Sequence, residues 1–203
     1  PKGKNKFQFW FSADSVQMMD IKDTRITPEE LEYFQSHPVL GPYIEEWSRV
    51  LEPRGLVDYA QIARRRLWPE AEQSILDYDT NLFIKYVQSV DGVGDVELER
   101  MILSTGDVTA VMQYTRTSRS EWSEAEPLLL EYPRQAIEYM RITGRDEWRE
   151  LQYRTANDPE LILEYVRVTR RRMEIGEPTI LEHPQYISKY VNLTFMRRWP
   201  EAE

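Results

Sequence analysis

Apolar residues recur along this 203-residue chain mostly at helical spacing. Leu161, Ile162, Tyr165, Val166 and Thr169 fall at i, i+1, i+4, i+5 and i+8, which is one face of an α-helix. Aliphatic pairs mark further segments of the same kind: Ile75-Leu76, Ile102-Leu103, Leu129-Leu130 and Ile180-Leu181. The N-terminus reads differently. Phe7, Phe9 and Phe11 alternate along Lys6–Ser12, which predicts an edge strand or extended segment. Thr27-Pro28-Glu29-Glu30 is a capping box with proline at the first helical position, and it predicts a helix from about residue 28 to 36.

The helical segments are copies of one another. Trp68-Pro-Glu-Ala-Glu72 recurs as Trp122-Ser-Glu-Ala-Glu126 and as Trp199-Pro-Glu-Ala-Glu203. Weaker copies place repeats near Pro42, Trp68, Asp95, Trp122, Trp148, Met173 and Trp199, at spacings of 26, 27, 27, 26, 25 and 26 residues. Other columns keep that register. Four positions after each start stand Glu46, Glu72, Glu99, Glu126, Gln152, Glu177 and Glu203. Eleven positions after it stand Pro53, Asp79, Gly106, Pro133, Pro159 and Pro184. Seventeen after it stand Tyr59, Tyr139, Tyr165 and Tyr190, with Tyr86 and Tyr114 displaced by one and two places. Trp148 opens a degenerate copy, with Thr155-Ala156 where the aliphatic pair belongs.

Each repeat reads as two short helices. The first starts after the Trp, where proline and glutamate suit a helix N-terminus. It stops before the column of breakers, because a residue preceding proline avoids the α region. The second starts there, most plainly at Asn157-Asp158-Pro159. Pro127 and Pro178 must lie in or near a first turn, since deeper placement would remove a ladder hydrogen bond. Helices of about ten residues are unstable alone, so copies must stack to bury their faces. The expected fold is all-α, an α-solenoid of short hairpins over residues 42–203, with residues 1–41 as an N-terminal cap. The end at Glu203, just inside a new repeat, leads us to expect that the natural polypeptide continues.

Composition narrows the chemistry. Thirty-five acids against 26 bases give a net charge of −9, which opposes general binding to nucleic acid or anionic membranes. There is no cysteine, so thiolate metal sites and cysteine nucleophiles are excluded. The two histidines, His37 and His183, each precede a proline and read as helix caps, so no metal or cofactor is expected. No Gly-x-Ser-x-Gly sequence or phosphate loop is present, and Asp91-Gly-Val-Gly-Asp95 reads as a loop after a helix.

Three columns remain as candidates. The glutamates could act as acid and base or hold a hard cation, but a repeated first-turn Glu is more simply a helix-dipole partner. Arginines precede the repeat starts: Arg64-Arg65-Arg66, Arg116 with Arg119, Arg141 with Arg145, Arg170-Arg171-Arg172 and Arg197-Arg198. They would form either an Arg–Glu ladder between neighbouring repeats or a basic ridge for an anionic partner. The tyrosines could stack bases, yet they share the aliphatic face. That makes them core, with each hydroxyl expected to reach a neighbouring repeat's backbone. Trp68, Trp122 and Trp148 are expected at inter-repeat seams.

The tandem pentapeptide, followed by an aliphatic pair, a proline and a Tyr-containing helix, resembles repeats in uncharacterised proteins of T-even-type tailed phages and some giant viruses. The resemblance covers roughly residues 42–203, although Asp95 and Met173 depart from its Trp. It implies a helical repeat protein of viral origin, acting in the cytoplasm of an infected host. Stacked repeats without a catalytic constellation lead us to expect a non-catalytic protein that binds a macromolecular partner, in the first place a protein and outside any membrane. Exposed aromatics and arginines in the cap and loops would carry the affinity. A nucleic-acid-binding repeat protein using the arginine ridge, and a structural virion component, are the alternatives. Oligomeric state stays open.

Overall fold

The computed structural model describes residues 7–20, 22 and 24–194. Arg197, Arg198, Trp199 and Glu203 lie outside them. The described chain is mostly helical, with an N-terminal two-stranded hairpin, and its helices pack on their neighbours in sequence. It divides into two compact bodies, Pro1–Thr105 and Gly106–Glu203.

The N-terminal body opens with β1 (Phe7–Ser12) and β2 (Ser15–Asp20), paired antiparallel so that Phe9 faces Met18 and Phe11 faces Val16. Phe7, Phe9 and Phe11 thus share a face with buried Val16 and Met18. Trp10 pairs with Gln17 on the other face. The predicted strand is correct, and its partner is the following segment. The inner face lies on α1 (Pro28–Ser36), where Phe7 and Phe9 meet the ring of Phe34 edge-on at 4.8 and 5.0 Å. The capping box is formed in both directions: Glu30 N–H donates to Thr27 Oγ1 and Thr27 N–H donates to Glu30 Oε2.

Next come α2 (Leu40–Arg49), α3 (Pro53–Ala63), α4 (Pro69–Tyr78), α5 (Thr80–Ser89) and α6 (Val96–Ser104). His37 caps α2, its Nδ1 accepting from the N–H groups of Val39 and Leu40 at 3.2 and 3.3 Å. Helix α2 crosses close to α1 because Gly41 has no side chain: a Cβ there would sit 2.1 Å from the Gln35 carbonyl oxygen. Helix α3 packs on β2, α1, α4 and α5. The loop at Asp91–Asp95 is as expected, with Asp91 and Gly94 at positive φ.

The C-terminal body holds α7 (Val108–Ser118), α8 (Glu126–Leu129), α9 (Pro133–Thr143), α10 (Arg149–Thr155), α11 (Pro159–Thr169), α12 (Glu177–Leu181) and α13 (Pro184–Thr194). The second helices of its repeats lean on one another in series, α7 on α9, α9 on α11, and α11 on α13. The breaker column starts the second helices of both bodies. Pro53, Pro133, Pro159 and Pro184 are first helical residues, while Asp79 caps α5 and Asp107, next to Gly106 of the column, caps α7 through their carboxylates.

Two expectations need correction. After Trp122 and Met173 there is no single first helix. Each copy instead makes a 3₁₀ turn, Ser123–Ala125 or Glu174–Gly176, before α8 or α12. Pro127 and Pro178 have no N–H to give the carbonyls of Ser123 and Glu174. Those oxygens accept instead from Glu126 and Glu177, one residue earlier, and that tighter bond is the 3₁₀ turn. Pro42, placed as a repeat start, lies inside α2.

Candidate functional site

The repeat columns converge on one hydrogen-bonded arrangement. A repeat-start residue has extended or irregular backbone, so its N–H has no helical acceptor. In the C-terminal body a tyrosine hydroxyl takes that role. Trp122 N–H donates to Tyr139, Trp148 N–H to Tyr165 at 3.1 Å, and Met173 N–H to Tyr190 at 2.9 Å. In the N-terminal body Leu67 N–H donates to Tyr86 at 2.8 Å. In the C-terminal body each of these hydroxyls therefore reaches the start of its own repeat, 17 residues earlier, and not a neighbouring repeat, while Tyr86 reaches the residue just before its repeat start, 19 residues earlier. The reason is local: the second helix folds back over the first and carries the ring to that orphaned donor.

The glutamate column completes the arrangement. Tyr86 donates to Glu72 Oε1 at 2.5 Å and Tyr190 donates to Glu177 Oε1 at 2.9 Å. Where the column holds Gln152, the direction reverses and its amide donates to Tyr165 at 3.0 Å. Glu72 is buried and grips Arg66 with both oxygens, at 2.9 and 2.6 Å. Arg66 also reaches Asp95 and Glu97. Glu177 holds Arg172 in the same bidentate way, and Glu126 pairs with Arg145, whose guanidinium lies 4.7 Å from the Trp148 ring centre. These glutamates do occupy first turns, but their carboxylates are spent on Arg and Tyr rather than on the helix end.

Burial lifts the Tyr86, Tyr139 and Tyr190 hydroxyls above the ordinary tyrosine range, and the Glu72 hydrogen bond adds to the effect at Tyr86. Hydrogen bonds to Glu72 and Glu177 raise Arg66 and Arg172 further into the charged form.

Other arginines of the columns are held locally by carboxylates or end helices. Arg171 pairs with Asp146 at 2.5 Å, and Arg141 is held by Glu138. Arg64, Arg119 and Arg170 end α3, α7 and α11 in left-handed backbone, at φ of 47°, 53° and 58°. Arg65 is exposed and borders a half-open groove of about 940 Å³ between α1, α2, Tyr59 and Trp68. Trp68 is only partly buried there, while Trp122 and Trp148 are buried against Tyr114 and Tyr139.

The feature that the sequence columns missed is on α2. Gly41, Ile44 and Ser48 turn into the body. Val39, Tyr43, Trp47 and Val50 line a different face and are 60, 59, 51 and 62% exposed. Trp47 is steadied by stacking on Phe11, with ring centres 6.4 Å apart. The spacing carries the signal, since residues 39, 43, 47 and 50 share one helical side, whereas the repeat columns pass through Pro42 and Glu46. Among the described residues no group of three or more His, Asp or Glu could hold a metal ion. Among them, too, no helix is long and apolar enough to cross a membrane.

The candidate site is thus the exposed apolar face of α2 in the N-terminal body, and the Tyr–Glu–Arg hydrogen bonds recur within each body of a mostly helical, sequentially packed protein. Comparison with protein-family models, curated proteins and solved structures finds no match to this chain.

Proposed function

We propose that this is a non-catalytic helical repeat protein, built as an α-solenoid of short hairpins, that binds another protein through the exposed face of α2. The observation that carries the reading is that face: Tyr43 and Trp47 on the helix, in line with Val39 and Val50 at its two ends, while the other side of the helix is already packed. Scattered exposed apolar residues need no explanation, but a contiguous stripe marks an interaction site. Tyr and Trp are also the residue types that concentrate binding energy. The viral resemblance of the repeats supports a partner in an infected host cell, or another viral protein, in the cytoplasm.

The arginine-ridge reading draws less support, because Arg66, Arg141, Arg145, Arg171 and Arg172 are each engaged by carboxylates. A structural role in a virion has no specific observation in its favour. The test is quantitative capture from host lysate with the native chain and with a Tyr43→Ser/Trp47→Ser double variant of unchanged circular dichroism. Proteins retained by the first and lost by the second are expected. Identical retained sets would overturn the reading.

A further inference from the structure

We infer that the open edge of β1 pairs with β1 of a second copy of this chain, joining two hairpins into one four-stranded antiparallel sheet. Hydrogen-bond direction is the first argument. In an antiparallel ladder alternate pairs turn their N–H and C=O groups outward. Asp20 N–H donates to the Thr24 carbonyl at 2.9 Å, and the Met18 carbonyl accepts from Ile26 N–H at 3.0 Å. The outward pairs are therefore Phe7 with Asp20, Phe9 with Met18 and Phe11 with Val16. Residues 24–26 cover the β2 edge over Met18–Asp20. On β1 the outward N–H and C=O groups of Phe7, Phe9 and Phe11 meet no donor or acceptor among the described residues. Sheet edges are ordinarily guarded by charge, proline or a bulge. Residues 7–12 have no charge and no proline, and their register with β2 is continuous.

Sequence is the second argument. A two-fold axis at Phe9 sets Phe7 against Phe11 of the second copy, Phe9 against its own counterpart, and Gln8 against Trp10. Each facing phenylalanine pair then exchanges two hydrogen bonds, so every outward group on the edge is satisfied. The rings continue the inner face of the sheet and oppose one another across the new seam, a favourable cross-strand pairing. Because residues 24–26 cover the far edge of each hairpin, the assembly closes at two copies. A strand from another protein would fill the same bonds, but the Phe-Gln-Phe-Trp-Phe order, symmetric about Phe9 in its phenylalanines, is matched by the chain itself. An edge of six residues is a small interface, so the dimer belongs to the weak, transient class.

The experiment uses the full chain. Sedimentation velocity from about 5 to 500 μM should show a shift from monomer to dimer. Over that range the amides of Phe7, Phe9 and Phe11 should slow in hydrogen exchange by at least about threefold, and those of Gln8 and Trp10, already directed at β2, should change less. Gln8→Lys/Trp10→Lys alters only exposed side chains of the outer face and sets like charges opposite one another across the seam, so it should abolish the dimer with unchanged circular dichroism. Gln8→Glu/Trp10→Lys sets opposite charges there and should restore it. A chain still monomeric at about 500 μM, or a dimer that the Lys pair leaves intact, would overturn the inference. Slow exchange of Phe9 at every concentration would do the same, since the edge would then be covered within one chain. So would a dimer lost in Tyr43→Ser/Trp47→Ser whose β1 amides ignore concentration, which would put the contact on α2.

Discussion

Replacing Tyr139 by Phe isolates the hydroxyl that fastens its repeat to the start at Trp122. The ring stays, with its packing against Trp148 at 5.8 Å, so the change deletes one oxygen and little volume. What it leaves behind is the N–H of Trp122. That residue is at φ −134°, ψ 88°, outside any helical ladder, and both it and Tyr139 are buried. Water cannot replace the lost acceptor without opening the seam. A buried donor stripped of its partner costs about 1–3 kcal/mol. The urea midpoint should therefore fall by that amount with an unchanged denaturant slope. The Trp122 amide should also lose about tenfold in hydrogen-exchange protection for each 1.4 kcal/mol. Tyr153→Phe, on a 56% exposed ring of the same body, serves as the control and should stay within about 0.5 kcal/mol. If Tyr139→Phe behaves like the control and Trp122 stays protected, the hydroxyl is not what holds the repeat start.

Three further outcomes follow from the same geometry. Trp148→Ala, removing a side chain 1% exposed, should cost about 3–5 kcal/mol, whereas Trp47→Ala, at 51% exposure, should cost well under 1; equal losses in urea titrations would contradict the assigned burial. Gly144 ends α9 at φ 77° with nothing within 4 Å of where a Cβ would lie, so Gly144→Ala should cost about 1–2 kcal/mol from backbone strain alone, and a neutral thermal melt would refute it. Stability should decline as pH rises past about 10, because the unfolded chain loses tyrosine protons there while buried Tyr86, Tyr139 and Tyr190 keep theirs; a urea midpoint that is flat up to about pH 11.5 would contradict this.

Helix boundaries were legible because they depend on residues with few alternatives. Proline has no N–H and a fixed φ, so within a helix Pro53, Pro133, Pro159 and Pro184 had to lie in a first turn, and each is the first helical residue. Asp158 and Thr27 act on donors two or three residues away, within reach of local reasoning. The partner of each tyrosine was not legible in the same way. Tyr139 lies 17 residues after Trp122 and nine before Trp148, and either backbone is within reach once helices stack. Only the direction in which the second helix folds back decides between them. The arginines were harder still, since flexible guanidinium side chains can choose among several carboxylates. Arg172 takes Glu177, in the repeat that follows, while Arg145 takes Glu126, 19 residues before it.

The tryptophans show where identical sequence stops dictating environment. Trp68 and Trp122 open nearly the same pentapeptide, yet one borders a groove and the other is sealed against Tyr114. Trp68 has no equivalent seal because the helix pair before it departs from the repeat: Pro42 lies within α2, and Tyr59 accepts from Gln35 of α1 rather than from a repeat start. The departure also explains the exposed stripe. A helix inside a stacked array has neighbours on two sides, and α2 carries apolar residues for two, Ile44 toward the body and Tyr43 with Trp47 away from it. Within the N-terminal body only the first of these faces is covered, so the second keeps the apolar character of a seam while standing exposed.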